Sequence, residues 1–309
     1  MKPVTKLLIN LLCLGWATTM LGAGDKLDTA AIEQITGLKG SLNEQENVFK
    51  VTSTRSDLKI TVDGWTMPPF MGLTSWAAFT PAAKRQVMVM GDLVLVQDEV
   101  NPVMSALLDN GLSVTALHNH FFYDEPKVYF MHIAGEGTPE QLATGVRKAL
   151  DTLKQCRADN LKPAATFGGG QLPETNSITA KPLEEILHTK GQSKDGMFKV
   201  VIGRKAKMGC GCEVGKEMGV NTWAAFAGSD DNALVDGDFA VLEDELQSVL
   251  KSLRKSGVNI VAIHSHMTGE TPRTLFLHYW GKGKSADLAK AVKAALNELP
   301  GTKKDRVTK

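Results

Sequence analysis

Six of the seven histidines fall inside two copies of one pattern, H-x-H-x3-[D/E]-x-P-x5-H. The first copy is His118, His120, Asp124, Pro126 and His132; the second is His264, His266, Glu270, Pro272 and His278. Imidazole is the commonest side-chain ligand of transition metals and the usual acid or base near neutral pH, so both copies are candidate sites. Strand alternation would put His118 and His120 on one face, and His132 joins them if the returning strand pairs in that register. Asp124 and Glu270 would then occupy the connecting loop, as a further ligand or a base, with Pro126 and Pro272 stiffening it. Two or three imidazoles plus one carboxylate, with a position left open, is the donor set of a catalytic or exchangeable metal site. Zinc leads, with copper, manganese and iron as alternatives. The candidate ligands are His118, His120, His132, His264, His266 and His278. Asp124, Glu125 and Glu270 are candidate bases, and Arg55 and Arg204 a candidate anion clamp. Metal-free acid/base or ligand binding, and a hydrogen-bonded polar core, are the competing readings.

Alternating strands and helices must position these groups. Residues 58–62 and 87–96 are apolar and β-branched, as strands are. Val100, Val103, Met104, Leu107 and Leu108 follow at helical spacing, closed by Gly111. Residues 113–120 and 127–133 read as paired strands carrying the histidines. Thr138-Pro139-Glu140 opens a helix whose apolar face is Leu142, Val146, Leu150 and Leu153.

The whole order is given twice. The segment MGLTSWAAF at 71–79 returns as MGVNTWAAF at 218–226, Gly91-Asp92 with Asp98-Glu99 returns as Gly237-Asp238 with Asp244-Glu245, and Phe49 to Arg55 matches Phe198 to Arg204. A period near half the chain indicates two pseudo-symmetric units rather than a solenoid. The expected organisation is a signal peptide at 1–24, repeat unit 1 at 25–157, a Gly/Pro-containing linker at 158–180 and repeat unit 2 at 181–309. The fold class is α+β, each repeat an antiparallel sheet with helices packed on one face. Lys2 and Lys6 ahead of the apolar run 7–21, then Gly22, Ala23 and Gly24, have the layout of an export signal. A periplasmic or secreted protein is expected, with no stable membrane span after cleavage.

Thirty-five basic against thirty-four acidic residues leave no electrostatic footprint for nucleic acid, and 43% hydrophobic content supplies a core. The expected partner is a metal ion or small molecule; a homo-oligomer is open. Past the signal only Cys156, Cys210 and Cys212 remain, an odd number that implies no disulfide framework. Cys210-Gly211-Cys212 could offer two thiolates to a soft metal or close a local disulfide, and the first repeat has Asp63 and Trp65 at the matching offset from its tryptophan.

The segments 115–122 (TALHNHFF), 260–270 (IVAIHSHMTGE), 223–228 (WAAFAG) and 276–281 (FLHYWG) resemble the LppY/LpqO-like family of exported bacterial proteins, which carries a domain of unknown function. The likeness covers roughly residues 26–299 and both repeats. It implies an envelope location and brings no established activity. Named members of that family are lipoproteins, whereas Cys13 here follows Leu11-Leu12 and lacks a lipobox. The expected function is an exported metal-binding protein, a metal-dependent hydrolase if it is an enzyme; the alternative is a non-catalytic envelope protein that binds metal or a small ligand.

Overall fold

The computed structural model describes residues 27–83 and 86–299; the expected export segment at 1–24 lies outside the described residues. The first repeat runs α1 (Thr29–Thr36), β1 (Gly40–Asn43), β2 (Val48–Thr54), β3 (Thr61–Val62), β4 (Trp65–Thr66), β5 (Thr74–Pro81), β6 (Val87–Val96), α2 (Gln97–Asp109), β7 (Ser113–His118), β8 (Asp124–Glu125), β9 (Val128–Gly137) and α3 (Pro139–Asp159). The second repeats it as α4 (Ala180–Leu187), β10 (Gln192–Lys194), β11 (Met197–Gly203), β12 (Ala206–Lys207), β13 (Glu213–Val214), β14 (Asn221–Gly228), β15 (Ala233–Leu242), α5 (Leu246–Lys255), β16 (Asn259–His264), β17 (Thr274–Gly283) and α6 (Ser285–Leu296).

Local signals account for the elements. In β5 and β14 every second residue is buried, the period of a strand with one covered face. In α3 the Thr138 hydroxyl accepts from Gln141 N while the Gln141 side chain returns to the Thr138 backbone, Pro139 takes the first helical position, and Leu142, Val146, Ala149, Leu150 and Leu153 form the buried stripe. The predicted strand at 58–62 shrinks to Thr61–Val62, in a small sheet ordered β4-β3-β8. Ile60 is buried as a plug, and its carbonyl accepts from Met67 N instead of extending the ladder.

Twelve strands form one antiparallel sheet in the order β1-β2-β5-β6-β9-β7-β16-β17-β15-β14-β11-β10, so each repeat supplies six and the halves meet where Leu117 of β7 faces Ile263 of β16. Joining them removes one exposed edge from each half. Among the described residues, all six helices share one continuous core with the sheet. On β6 this core takes Val87, Val89, Leu93 and Leu95. Alternation sends Asp92 and Val94 to the opposite face, where Val94 joins a small cluster with Ile60, Met67, Leu73, Val128 and Phe130. The counterpart in the second repeat is Ala206, Val214 and Val220.

A β-bulge in each central strand decides where the histidines point. In β7 the register shifts between Val114 and Ala116, and in β16 between Ile260 and Ala262. One extra residue reverses the alternation, so Val114 and Leu117, three apart, both enter the helix-side core while Ala116 and His118 face the other way. Each bulge is held by an amide from the other repeat. Asn101 of α2 donates to Ile260 O at 3.1 Å and accepts from Ile260 N at 2.7 Å. Gln247 of α5 does the same to Val114, at 2.9 and 3.0 Å. Beside the second site, Gly237 has no room for a side chain, because a Cβ there would lie 2.1 Å from the Tyr279 hydroxyl and 2.5 Å from Trp223 O.

Candidate metal centre

The register brings the third histidine of each motif to the first. His132 faces Ala116, next but one to His118, and their ring centroids are 5.1 Å apart; His118 and His120 are separated by 5.2 Å. The second repeat gives 4.8 Å for His264–His278 and 5.1 Å for His264–His266. His120 and His266 lie just past their strand ends and stack on buried Phe130 and Phe276, at 3.3 and 3.5 Å. The phenylalanine therefore fixes the ring of the one histidine that the ladder does not hold.

A carboxylate from the next strand completes each group. Asp92 lies directly opposite His132, and Asp238 directly opposite His278. Sequence reasoning did not choose these acids. The available signal was a charged residue inside an apolar strand, returning at the same place in both repeats.

In the second repeat the ligand atoms converge. His266 Nε2 is 3.2 Å from His264 Nε2 and 3.4 Å from Asp238 Oδ2, and among the described residues Asp238, His264 and His266 are the group whose donor atoms could share an ion. His278 stacks on His264 outside that group of three. His266 Nδ1 donates to Gly219 O at 3.3 Å, which leaves Nε2 a lone pair that His264 Nε2 meets at 3.2 Å; His278 Nδ1 donates likewise to Gly237 O at 3.3 Å. Asp238 Oδ1 and His264 Nδ1 are buried without a hydrogen-bond partner. Asp236, on the same strand, stands at the position of Met90 in the first repeat. The first triad has no such convergence: His118 Nδ1 turns to Asn119 O at 3.4 Å.

The loop acids have another task. Asp124 accepts from Val128 N at 2.7 Å and Lys127 Nζ at 3.0 Å, so both its oxygens close the turn into β9. Glu270 accepts from Thr274 N at 3.0 Å, the equivalent closure, but keeps Oε2 uncommitted. Glu125 is exposed on β8. The peptides Glu125-Pro126 and Thr271-Pro272 are both cis. The arginines expected to clamp an anion are spent on structure. Arg55 bonds Glu99, Asp57 and Val94 O, and Arg204 bonds Glu245 and Ala240 O. A guanidinium whose donors are held by a buried carboxylate has little left for a ligand. Trp76 and Trp223 are half-buried, with Lys50 and Lys199 over their rings at 4.5 and 4.2 Å. His188 is exposed.

Burial and the neighbouring His278 and His266 bring the His264 imidazole down to about 4, and burial pushes the Asp238 carboxyl up to about 6 against the pull of His278. His264 is thus neutral and Asp238 ionised at pH 7, as metal ligands must be. His264 binds fewer protons folded than unfolded, so its contribution to stability is complete above 6.5 and declines as pH falls toward 4. Asp238 binds more protons folded, so its contribution declines as pH rises from 3.8 to 6. The two oppose each other in one window. Metal affinity is expected to fall about tenfold per pH unit below 6, when Asp238 protonates, while the metal-free protein loses stability there, because His120 and His266, held down like His264, outweigh the one raised carboxyl. Titration calorimetry and denaturant melts at pH 7.5 and 5 check both; equal affinity at the two pH values contradicts a role for Asp238.

Among the described residues no helix is long and apolar enough to cross a membrane. No curated protein matches the chain. A trimeric bacterial microcompartment shell protein, PduB, aligns over 84% of this chain and 89% of its own at 13% identity, but a TM-score of 0.20 carries no argument about fold or assembly. One family model matches twice, over residues 30–152 and 181–298, one segment on each repeat, and the chain belongs to the family described as Domain of Unknown Function (DUF1259).

Proposed function

We propose that this chain is an exported metal-binding protein whose second histidine motif, together with Asp238, holds a divalent transition ion, zinc first. The carrying observation is a spacing. Ligand atoms on a tetrahedral zinc with bonds of about 2.0–2.1 Å stand about 3.3–3.4 Å apart; His264 Nε2 and Asp238 Oδ2 stand 3.2 and 3.4 Å from His266 Nε2. The same separations suit a hydrogen bond and an ion pair, and the buried Asp238 Oδ1, left without a hydrogen-bond partner, is what favours an ion between the groups. The first triad, His118, His120 and His132 with Asp92, is a second and weaker centre. The basic, apolar and small-residue order of residues 2–24 supports export, and the quoted motifs support placement in the LppY/LpqO-like branch.

Hydrolysis is the chemistry proposed for the site. A bound ion of this kind acidifies a coordinated water and polarises a substrate oxygen. His264, His266 and Asp238 would hold it, Gly219 O would fix the His266 tautomer, and Glu270, with one oxygen uncommitted, is the candidate base.

Cobalt(II) titration tests the binding claim. The wild type is expected to develop the visible absorption of a four- or five-coordinate N/O site, saturating with the second repeat's ion, and His264→Ala to lose it. A featureless titration with an intact fold would overturn the reading. Screening the loaded protein against ester, amide, lactone and phosphoester substrates tests hydrolysis separately; binding without turnover removes the hydrolase and leaves the metal site.

A further inference from the structure

The hairpin β3–β4 of the first repeat closes on a two-residue turn, Asp63-Gly64, both at positive φ. Its counterpart β12–β13 closes on five residues, 208–212, and the three-residue enlargement contains Cys210-Gly211-Cys212. The loop is ordered by its own backbone: Met208 N donates to Cys212 O at 2.9 Å and Gly211 N to Met208 O at 2.8 Å, with Gly211 at φ +83. This tight turn sets Cys210 and Cys212 on the loop with one residue between them, and Cys212 N donates to Cys210 Sγ at 3.4 Å. Both cysteines are exposed. The hairpin is also tied to the second histidine loop, since Lys207 N donates to Thr271 O at 2.9 Å and Thr271 N to Lys207 O at 2.8 Å.

We propose that Cys210 and Cys212 form a redox-active dithiol, a second functional site that exchanges with small disulfides on the flap beside the second histidine motif. The reaction balances as R–S–S–R plus two Cys–SH giving one intramolecular disulfide plus two R–SH. Cys210 is the attacking thiol: hydrogen bonds from the Cys212 side chain and backbone N–H bring its thiol below the ordinary cysteine value, and the same bond pushes Cys212 up. The Cys210 thiolate opens the external disulfide, forming a mixed disulfide and releasing RS⁻. Cys212 then loses its proton to the released thiolate and attacks Cys210 Sγ, expelling the second R–S⁻, which takes the remaining proton. Cys156 is half-buried, and burial raises its thiol, so it serves as an internal control.

This site stands or falls independently of the metal, so the test uses chelator-treated full-length protein in buffers of oxidised and reduced glutathione. Peptide mass mapping is expected to show segment 208–212 losing two hydrogens in oxidised glutathione and regaining them on reduction, with Cys156→Ser behaving as wild type. Cys212→Ser is expected to trap glutathione on Cys210, and Cys210→Ser to react several-fold more slowly at Cys212. Accumulation of glutathione on wild-type Cys210 without ring closure, or thiols that stay reduced throughout, would overturn the proposal.

Discussion

Arg204→Met is expected to cost about 3–5 kcal/mol of folding stability, because it leaves a carboxylate buried without its counter-charge. The Glu245 side chain is 2% exposed, and both oxygens meet the guanidinium, with Nη2 3.0 Å from Oε1 and Nη1 on Oε2. Among the described residues its other donor is Leu242 N at 2.8 Å. The same arrangement in the first repeat, Arg55 on Glu99, shows that each unit anchors the loop after its second strand to the start of its central helix in this way. Replacing both partners removes the charge as well as the bond, so Arg204→Met/Glu245→Leu is expected to recover all but about 1–2 kcal/mol, the remainder being the lost hydrogen bond to Leu242 N. Urea melts of the three proteins decide it. A single variant within about 1 kcal/mol of wild type, or a double variant no better than the single, contradicts the structural task assigned to the pair.

Asn101→Ala is expected to lower stability by about 2–4 kcal/mol, since it strips a donor and an acceptor from Ile260 in the sheet interior, each costing about 1–3 kcal/mol when left unpaired. Asn101 belongs to the first repeat, yet the bulge it holds turns His264 of the second to the open face. A loss of metal affinity at the second site is therefore expected at temperatures where the variant is still folded. Gln247→Ala is expected to spare that site and disturb His118 instead. Identical effects of the two substitutions on the second site would contradict the cross-repeat arrangement.

How far these features could be read in advance differs residue by residue. The duplication, the α+β class, the helical stripe from Val100 to Leu108 and the paired histidine strands were visible because each depends on spacing inside one segment. Asp238 was not chosen, because its nearness to His264 depends on β17 lying between β15 and β16, a register that no local pattern carries. Glu270 was favoured for being close in sequence, yet its loop needs an acceptor for Thr274 N, and that need takes one of its oxygens. Arg55 and Arg204 suggested an anion clamp by type alone; burial beside Glu99 and Glu245 gave them a structural task. The bulges left a trace, apolar residues three apart in a strand, at Val114 with Leu117 and at Ile260 with Ile263. Reading that trace required the cross-repeat amides, which come from helices elsewhere in the chain.

An ion held by Asp238, His264 and His266 must be present in the folded protein. Elemental analysis by mass spectrometry on untagged full-length protein, beside Asp238→Ala prepared identically, tests it most directly. The wild type is expected to hold a stoichiometric transition metal, zinc foremost, and the variant, its fold kept by circular dichroism, to lose the second-site share. A folded wild type that holds no metal after reconstitution, or an Asp238→Ala protein with undiminished content, would contradict it.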